Sequence, residues 1–576
     1  MVEQVHEGNR EMKNQSDGGE AILQAFRSLG IDYIMASPGS EWGAVWEALG
    51  SQKLTNTPGP TYFSCAHETL AVNLATGYTM ITGRMQAVML HTGVGLLQGS
   101  MGIDGALRQG VPMLVVSGES LSFGDDPEFN PGAQWQSLLS VVGGPHRLVE
   151  PIVKWANQAG SVSTMYQQVM SAGEMAQRNP AGPVYMSVPI ETMGEDWEPP
   201  SEFRDAPPAP KTTAAAADIE AVAKLLVASK QPAIVAEMAG RDPAAHAALV
   251  ELAELLAIPV VEGLWSMFAN FPKDHPLHQG FHRPALIDDA DLVLTLCCAA
   301  PWYPPSAGPK KARLVAIDET PFRPAMVYQP NLAEIFLEGD TASTLQLLVE
   351  AVRAAGINEG AVAERQSHWA AAHEERVASL RAKEAEDAAK DTISPIALCA
   401  ALSDAAPADT IFMDETITHR GAVLHHLRSG GPQSYFRAHG GLGQGLGMAL
   451  GAKLAAPART VISTMGDGTF MYNPVVQSLA LSQHENLPIL IVVFNNSGYA
   501  AMRGNHRDYY PDGVGAKNDI YPGHPVTDLD YAALVQPFGG FGRRVEAMAD
   551  LPGAINDALE AVSAGRTAIL NVLVDV

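Results

Sequence analysis

A chain of 576 residues, 47% of them hydrophobic and only 17% charged, has the length and composition for about three or four well-filled cores. Its net charge of −26 excludes a basic face for nucleic acid or for an anionic membrane. Its four cysteines show no CxxC spacing and no disulfide framework, and adjacent Cys297 and Cys298 end an apolar run, as buried thiols do. Residues 1–17 are polar and lack the apolar segment of a secretion signal, and no run reaches the roughly 18 apolar residues of a membrane helix. The expectation is a soluble, cytoplasmic protein with neither membrane nor nucleic acid as a partner.

From residue 18 to 194 helical and strand patterns alternate. Ala21–Phe26 opens an amphipathic helix that stops at Gly30, and strand Tyr33–Ala36 runs into Ser37-Pro38-Gly39-Ser40. A helix over roughly 68–82 stops at Gly83, strand Ala87–Leu90 leads into His91-Thr92-Gly93-Val94-Gly95, and a helix near 96–109 precedes strands Met113–Ser117 and Gly182–Pro189. Five prolines mark 195–213 as a linker. A second α/β unit over 214–355 has strands near 233–236, 259–261, 292–296 and 314–318, and no GxGxxG follows any of them. The stretch 361–390, rich in Ala, Glu, Arg and Lys, predicts a long exposed helix inside a helical linker over 356–392. A third α/β unit occupies 393–576. The rhythm predicts an α/β fold of three doubly wound parallel sheets with helices on both faces.

Two apolar, β-branched runs in the third unit, Thr460–Thr464 and Ile489–Phe494, end in Gly466-Asp467-Gly468-Thr469 and Asn495-Asn496-Ser497-Gly498-Tyr499. Open α/β sheets bind ligands at the carboxyl ends of their strands. A carboxylate, a carboxamide and a backbone carbonyl there make a hard, all-oxygen partial shell that suits Mg²⁺, which completes its shell with phosphate oxygens and water. Read alone, the stretch predicts magnesium and a diphosphate.

GDG, 26 residues, then NN also resembles the thiamine diphosphate signature of the decarboxylase and acetolactate synthase group, and three α/β units in this order match that group along essentially the whole chain. The resemblance implies that 18–194 binds the aminopyrimidine ring, that 214–355 is structural or binds a nucleotide, and that 393–576 binds the diphosphate. It implies a homodimer or homotetramer, with the cofactor between the first unit of one chain and the third of another. Asp467, Asn496 and the Gly498 carbonyl would hold Mg²⁺. The hydroxyls of Thr416 and Thr418 and the N–H groups of Gly468 and Thr469 would meet the diphosphate, with Tyr499 beside the cofactor. Cys65-Ala66-His67-Glu68 opens a helix similar to the one whose Glu, here Glu68, shares a proton with the pyrimidine N1′ and so activates the thiazolium carbon. In His439-Gly440-Gly441-Leu442-Gly443, Leu442 matches the apolar wedge that bends the cofactor, and the Gly440 carbonyl would accept from its amino group.

Ser40 and His91 resemble residues of benzoylformate decarboxylase, where a hydroxyl and an imidazole would bind the oxo-acid carboxylate and relay protons. A structural strand-end His is the plainer alternative. There are also departures. Pro301–Pro305 supplies no second His, Met502 stands where yeast-type pyruvate decarboxylases place a Glu, and Pro474–Ser478 lengthens a helix opening by about two residues. Ala501 and Met502 would then line an apolar substrate pocket, while His419, His425, His426, His439 and His506 remain unassigned. The implied activity is decarboxylation of a small-molecule 2-oxo acid, with an enamine released as an aldehyde or an acyloin. An acetolactate synthase-like transferase with FAD, a flavin-dependent oxidase of the pyruvate oxidase type, and a hydrolase or acyl-CoA lyase are the rivals. No motif supports FAD.

Overall fold

Apolar runs buried on both faces pair in parallel beneath covering helices, and the computed structural model carries its strands in three six-stranded sheets of this kind. It describes residues 16–37, 39–125, 132–137, 139–263, 265–323, 326–329, 332–526 and 529–575. The first sheet contains β1 (Tyr33–Ser37), β2 (Thr61–Ser64), β3 (Gln86–Leu90), β4 (Met113–Glu119), β5 (Ala156–Gln158) and β6 (Pro183–Pro189), in the order β2-β1-β3-β4-β6-β5. The second contains β7 (Pro232–Ala236), β8 (Val260–Glu262), β9 (His278–Phe281), β10 (Leu292–Leu296), β11 (Arg313–Asp318) and β12 (Ile335–Glu338), in the order β12-β11-β10-β7-β8-β9. The third contains β13 (Ile411–Glu415), β14 (Tyr435–Arg437), β15 (Val461–Gly466), β16 (Leu490–Asn495), β17 (Phe541–Val545) and β18 (Ala568–Leu573), in the order β14-β13-β15-β16-β18-β17. All ladders between these strands are parallel, for example Ser37 opposite Leu90, Ala236 opposite Leu296 and Glu415 opposite Met465.

In each sheet the strand order switches from one side of the starting strand to the other between β1 and β3, between β7 and β10, and between β13 and β15. Chains leaving two such strands depart to opposite sides, which opens a crevice at their carboxyl ends. These three crevices fix where Glu41 and His91, Glu237 and Cys297, and Thr418 and Asp467 lie.

By contact the chain forms two compact units. One holds the first sheet, with residues 84–209 and those before 76, and the other holds residues 76–83 with 210–576 and both remaining sheets. The helix predicted between the second and third sheets runs over Glu359–Ala388, thirty residues long and mostly exposed. Among the described residues no helix is long and apolar enough to cross a membrane, and the four cysteines are buried and form no disulfide.

Candidate active site

At the first crevice the chain leaves β1 through a short 3₁₀ turn, Ser40–Trp42. Trp42 is fully buried, and its indole N–H donates to the Leu90 carbonyl at 3.0 Å, which pins the turn against β3. The pinning turns Glu41 inward. Its carboxylate, with no side-chain exposure, lies 2.8 and 2.9 Å from His91 Nδ1 and accepts the Thr92 N–H at 3.0 Å. Hydrogen bonding to Glu41 raises the His91 pKa, outweighing the opposing effect of burial. Glycines make room for the pair: a Cβ on Gly39 would fall 1.8 Å from His91 Nδ1, and one on Gly118 would fall 2.2 Å from Glu41 Cγ. Glu68 begins the helix Glu68–Thr82, and a Cβ on Gly95 would touch both its Oε1, at 3.0 Å, and His91 Cβ, at 2.9 Å. Glu68 and His91 thus share the crevice. Ser40 is exposed, and its hydroxyl reaches Gln134 Oε1 at 3.4 Å rather than the His91 pair.

At the third crevice Asp467 begins the helix Asp467–Tyr472. It is 3% exposed, accepts the Gly468 N–H at 2.8 Å and the Gly498 N–H at 3.1 Å, and has its pKa raised by burial. Asn496 Oδ1 accepts from the same Gly498 N–H at 3.1 Å, so the carboxylate and the amide oxygen converge on one point of backbone. Ser497 takes a left-handed conformation (φ 54°) to turn the chain there. The first Asn of the pair is spent internally, since Asn495 Nδ2 donates to Asn571 and its Oδ1 accepts from Ser497. Asn496 Nδ2 lies 3.0 Å from His419 Nε2, and burial lowers the His419 pKa to about 4. A neutral imidazole accepting there fixes which end of the Asn496 amide faces Asp467.

The remaining residues expected at this edge divide in two. Thr418 is exposed and accepts the Ala501 N–H at 3.1 Å, which staples the helix Ala500–Tyr509 to the end of β13 and leaves the hydroxyl proton free. Gly468 lies under the Tyr499 ring, whose Cε1 would be 2.4 Å from a Cβ there, and Thr469 is buried beside it. Met502 is half-exposed on the outer helix. Thr416, by contrast, is fully buried and donates its hydroxyl to Asp414 Oδ1 at 2.8 Å. Its one side-chain donor is committed inward and has nothing left for a diphosphate.

Leu442 sits on a turn that is held from below. The Glu415 carboxylate accepts the N–H groups of Gly443, Gln444 and Gly445 at 2.7, 2.8 and 2.9 Å, and the Asn473 amide at 2.9 Å. Gly440 (φ 122°) and Gly443 (φ 97°) adopt backbone conformations that favour glycine, and Gly440 is exposed. The helix opening expected to be irregular is interrupted at Asn473-Pro474, and Asn473 Oδ1 accepts the Leu446 N–H at 3.1 Å. Glu41, Glu415 and His419 were not among the candidate residues. An acid beside Ser40, an acid ending an apolar strand and a His beside Thr418 were the available signals.

A diphosphate with Mg²⁺ fits this donor set. Asp467 is a buried carboxylate with no cationic side chain within 4.0 Å among the described residues, and amide oxygen and free hydroxyl donors stand beside it. Among those residues no three His, Cys, Asp or Glu side chains gather as a metal site, and a shell with one carboxylate is not of that kind. A flavin or nucleotide fits the central crevice poorly. Fully buried Glu237, just past β7, accepts the N–H groups of Ala299 and Ala300 at 2.7 and 3.1 Å, so a carboxylate already caps the strand-end amides of this crevice and would oppose an anionic pyrophosphate.

Three models of thiamine pyrophosphate enzymes match the chain: the N-terminal TPP binding domain over residues 16–125, the central domain over 219–348 and the C-terminal TPP binding domain over 418–572. A benzoylformate decarboxylase of Pseudomonas aeruginosa is 28% identical over 87% of this chain and 90% of its own length. The acetolactate synthase isozyme 3 large subunit of Escherichia coli is 23% identical over 97% of this chain and 95% of its own. The fold is that of the thiamine diphosphate-dependent 4-hydroxybenzoylformate decarboxylase of Rhodococcus jostii RHA1, with a TM-score of 0.77, 22% identity, and 97% of this chain and 99% of that one covered. This chain belongs to the thiamine pyrophosphate enzymes of the decarboxylase and acetolactate synthase family.

Proposed function

We propose that the protein is a thiamine diphosphate- and Mg²⁺-dependent decarboxylase and carboligase of 2-oxo acids. The observation that carries this reading is the Glu41–His91 pair, a proton donor held at the edge of the first sheet beside Glu68. When bound, thiamine diphosphate supplies the nucleophilic carbon and electron sink that a 2-oxo acid needs to lose CO₂. Glu68 holds the proton shared with the pyrimidine N1′. Glu41 engages His91 Nδ1, leaving Nε2 to deliver a proton to the carbon that has lost CO₂, and the raised pKa keeps His91 charged closer to neutral pH. That donor favours aldehyde release, while acyloin formation requires a second carbonyl to arrive first. Asp467, Asn496 and the Gly498 carbonyl would hold Mg²⁺; Thr418, Gly468 and Thr469 would donate to the diphosphate; Leu442 and Gly440 would pack against the cofactor beside Tyr499; and Ala501 and Met502 would face the substrate. Ser40 acts on the substrate carboxylate by moving from Gln134.

The cofactor lies between the first sheet of one subunit and the third of another in a homodimer or a tetramer of two such pairs. Exposed Met471, Tyr472 and Val476 next to Asp467 support a partner surface there. Four cysteines without a disulfide suit a reducing, cytoplasmic setting.

The test is a panel of 2-oxo acids with thiamine diphosphate and Mg²⁺, measuring CO₂, aldehyde and acyloin. Turnover that survives removal of the cofactor sinks the reading. Glu68→Gln is expected to slow turnover by about 100-fold or more, the scale of a lost proton-transfer group, while the cofactor still stabilises the protein against heat.

A further inference from the structure

Two arginines next to the third crevice have guanidinium groups that the protein does not satisfy. Arg437 ends β14 and Arg420 opens the helix Arg420–His426 after β13. Arg437 is 6% exposed, and its Nη2 donates to the Thr416 carbonyl at 3.3 Å, while Nε and Nη1 are buried without a partner. Arg420 Nε and Nη2 are likewise buried and unpartnered, and its Cζ stands 4.8 Å over the Trp265 ring. No carboxylate among the described residues lies within 4.0 Å of either. Asp414 is close, but Oδ1 is taken by Thr416 and Thr464 and Oδ2 by the Tyr435 hydroxyl. Glu237 on the facing sheet spends Oε2 on Ala299 and Ala300, its Oε1 is buried without a partner, and its charge and that of Asp414 act on Arg420 only from beyond 4.0 Å. Burial, then the neighbouring charge of Arg437, pushes the Arg420 pKa down to about 10. Four buried guanidinium nitrogens without acceptors are expensive to keep, since a buried charged donor forfeits its water.

The pair lies beside the cofactor cradle. Arg437 is three residues from exposed Gly440, and Arg420 directly follows His419, the partner of Asn496. Trp265, 44% exposed, and half-buried His439 stand with ring centroids 6.4 Å apart, and Trp265 covers the Arg420 guanidinium, so these two rings and the Gly440 turn separate the arginines from solvent. We propose that Arg420 and Arg437 form an oxyanion subsite for a second acidic group on the substrate, a carboxylate, sulfonate or phosphonate carried beyond the reacting 2-oxo acid. Paired guanidinium forks match the planar or tetrahedral oxygens of such a group, which a single ammonium would not. This rests on reading the Gly440–Leu442 turn as the place of the cofactor.

The test has a binding arm and a turnover arm, both on protein loaded with thiamine diphosphate and Mg²⁺. Calorimetric titration compares glutarate, butyrate and inorganic phosphate. Wild type is expected to bind glutarate about 10- to 100-fold more tightly than butyrate, the scale of charge-assisted hydrogen bonds, and the preference should vanish in Arg437→Gln and Arg420→Gln. In turnover, kcat/KM for 2-oxoadipate should exceed that for 2-oxohexanoate, and the same substitutions should erase the ratio without lowering the 2-oxohexanoate value. If no 2-oxo acid releases CO₂ but the glutarate preference and its loss are seen, the proposed activity fails and the subsite stands. If CO₂ is released and neutral tails are preferred, or both substitutions depress both substrates equally, the subsite is overturned and the activity stands. Phosphate binding that both substitutions abolish, without a glutarate preference, overturns the substrate assignment in favour of a free anion. Arg420, the less buried of the two, decides the matter where Arg437→Gln loses its stabilisation by cofactor.

Discussion

His91 shows how one neighbour sets a residue's chemistry. Glu41 binds Nδ1, so it selects the tautomer and holds the charged form, and the pKa rises above the ordinary 6.5. A base with a raised folded pKa contributes stability that is fully present below about pH 6.5 and is lost as pH rises through the raised value. In Glu41→Gln the His91 titration, followed by NMR, should fall towards 6.5, and the upper limb of the aldehyde-forming pH profile should move to lower pH with it. An unmoved titration would separate Glu41 from the proton donor. Asp467 makes the complementary case of a buried carboxyl with amides but, among the described residues, no cationic side chain within 4.0 Å. Asp467→Ala should abolish the thermal stabilisation that thiamine diphosphate and Mg²⁺ give together, a linkage effect of about 2.7 kcal/mol at a ligand concentration 100 times Kd. Equal stabilisation of variant and wild type would remove Asp467 from the metal shell.

At the scale of elements, the turn carrying Leu442 keeps its shape because Glu415 gathers three consecutive N–H groups from beneath it. In Glu415→Ala these donors lose their acceptor, at about 1 kcal/mol or more each. The expected loss is about 3 kcal/mol in denaturant unfolding, and, with Leu442 as the proposed wedge, weaker cofactor binding as its turn is freed. Glu415→Gln should retain part of both. A variant with wild-type stability would mean the turn holds itself. The strands that frame these turns were legible where they are apolar on both faces, as Leu292–Leu296 and Leu490–Asn495 are. β5 (Ala-Asn-Gln), β9 (His-Gln-Gly-Phe) and the half-buried β17 (Phe-Gly-Arg-Arg-Val) carry no such run, because edge positions and neighbours distant in sequence make them strands. Thr416 marks the same limit within the site. Strand-end position suggested an outward hydroxyl, but buried Asp414 on the same strand captured it.

Across the whole molecule one device recurs three times with different contents. Each sheet switches its strand order beside the starting strand, β1, β7 or β13, and opens a crevice there. The motifs in the sequence named His91 and Glu68 at the first crevice and Asp467 and Asn496 at the third, because Gly, Asp, Asn and His at strand ends are visible in a single chain, while Glu41, Glu415 and His419 carried no motif. Nothing comparable marked the central one, where the decisive residue is Glu237, an acid in the run Ala236-Glu237-Met238. There Gly263 leaves the space, since a Cβ would fall 2.4 Å from Glu237 Oε1, and the carboxylate caps the Ala299 and Ala300 amides. Burial raises the Glu237 pKa despite those bonds. An acid held this way costs stability as pH rises from its ordinary 4.5 through the raised value. The expectation is a colourless protein in which added FAD neither raises the melting temperature nor quenches on binding. Glu237→Gln should melt higher than wild type at neutral pH, with the difference shrinking as pH falls towards 4.5. A yellow preparation, or saturable flavin binding to wild type, would show that the central crevice opens and would return the flavin-dependent alternatives to first place.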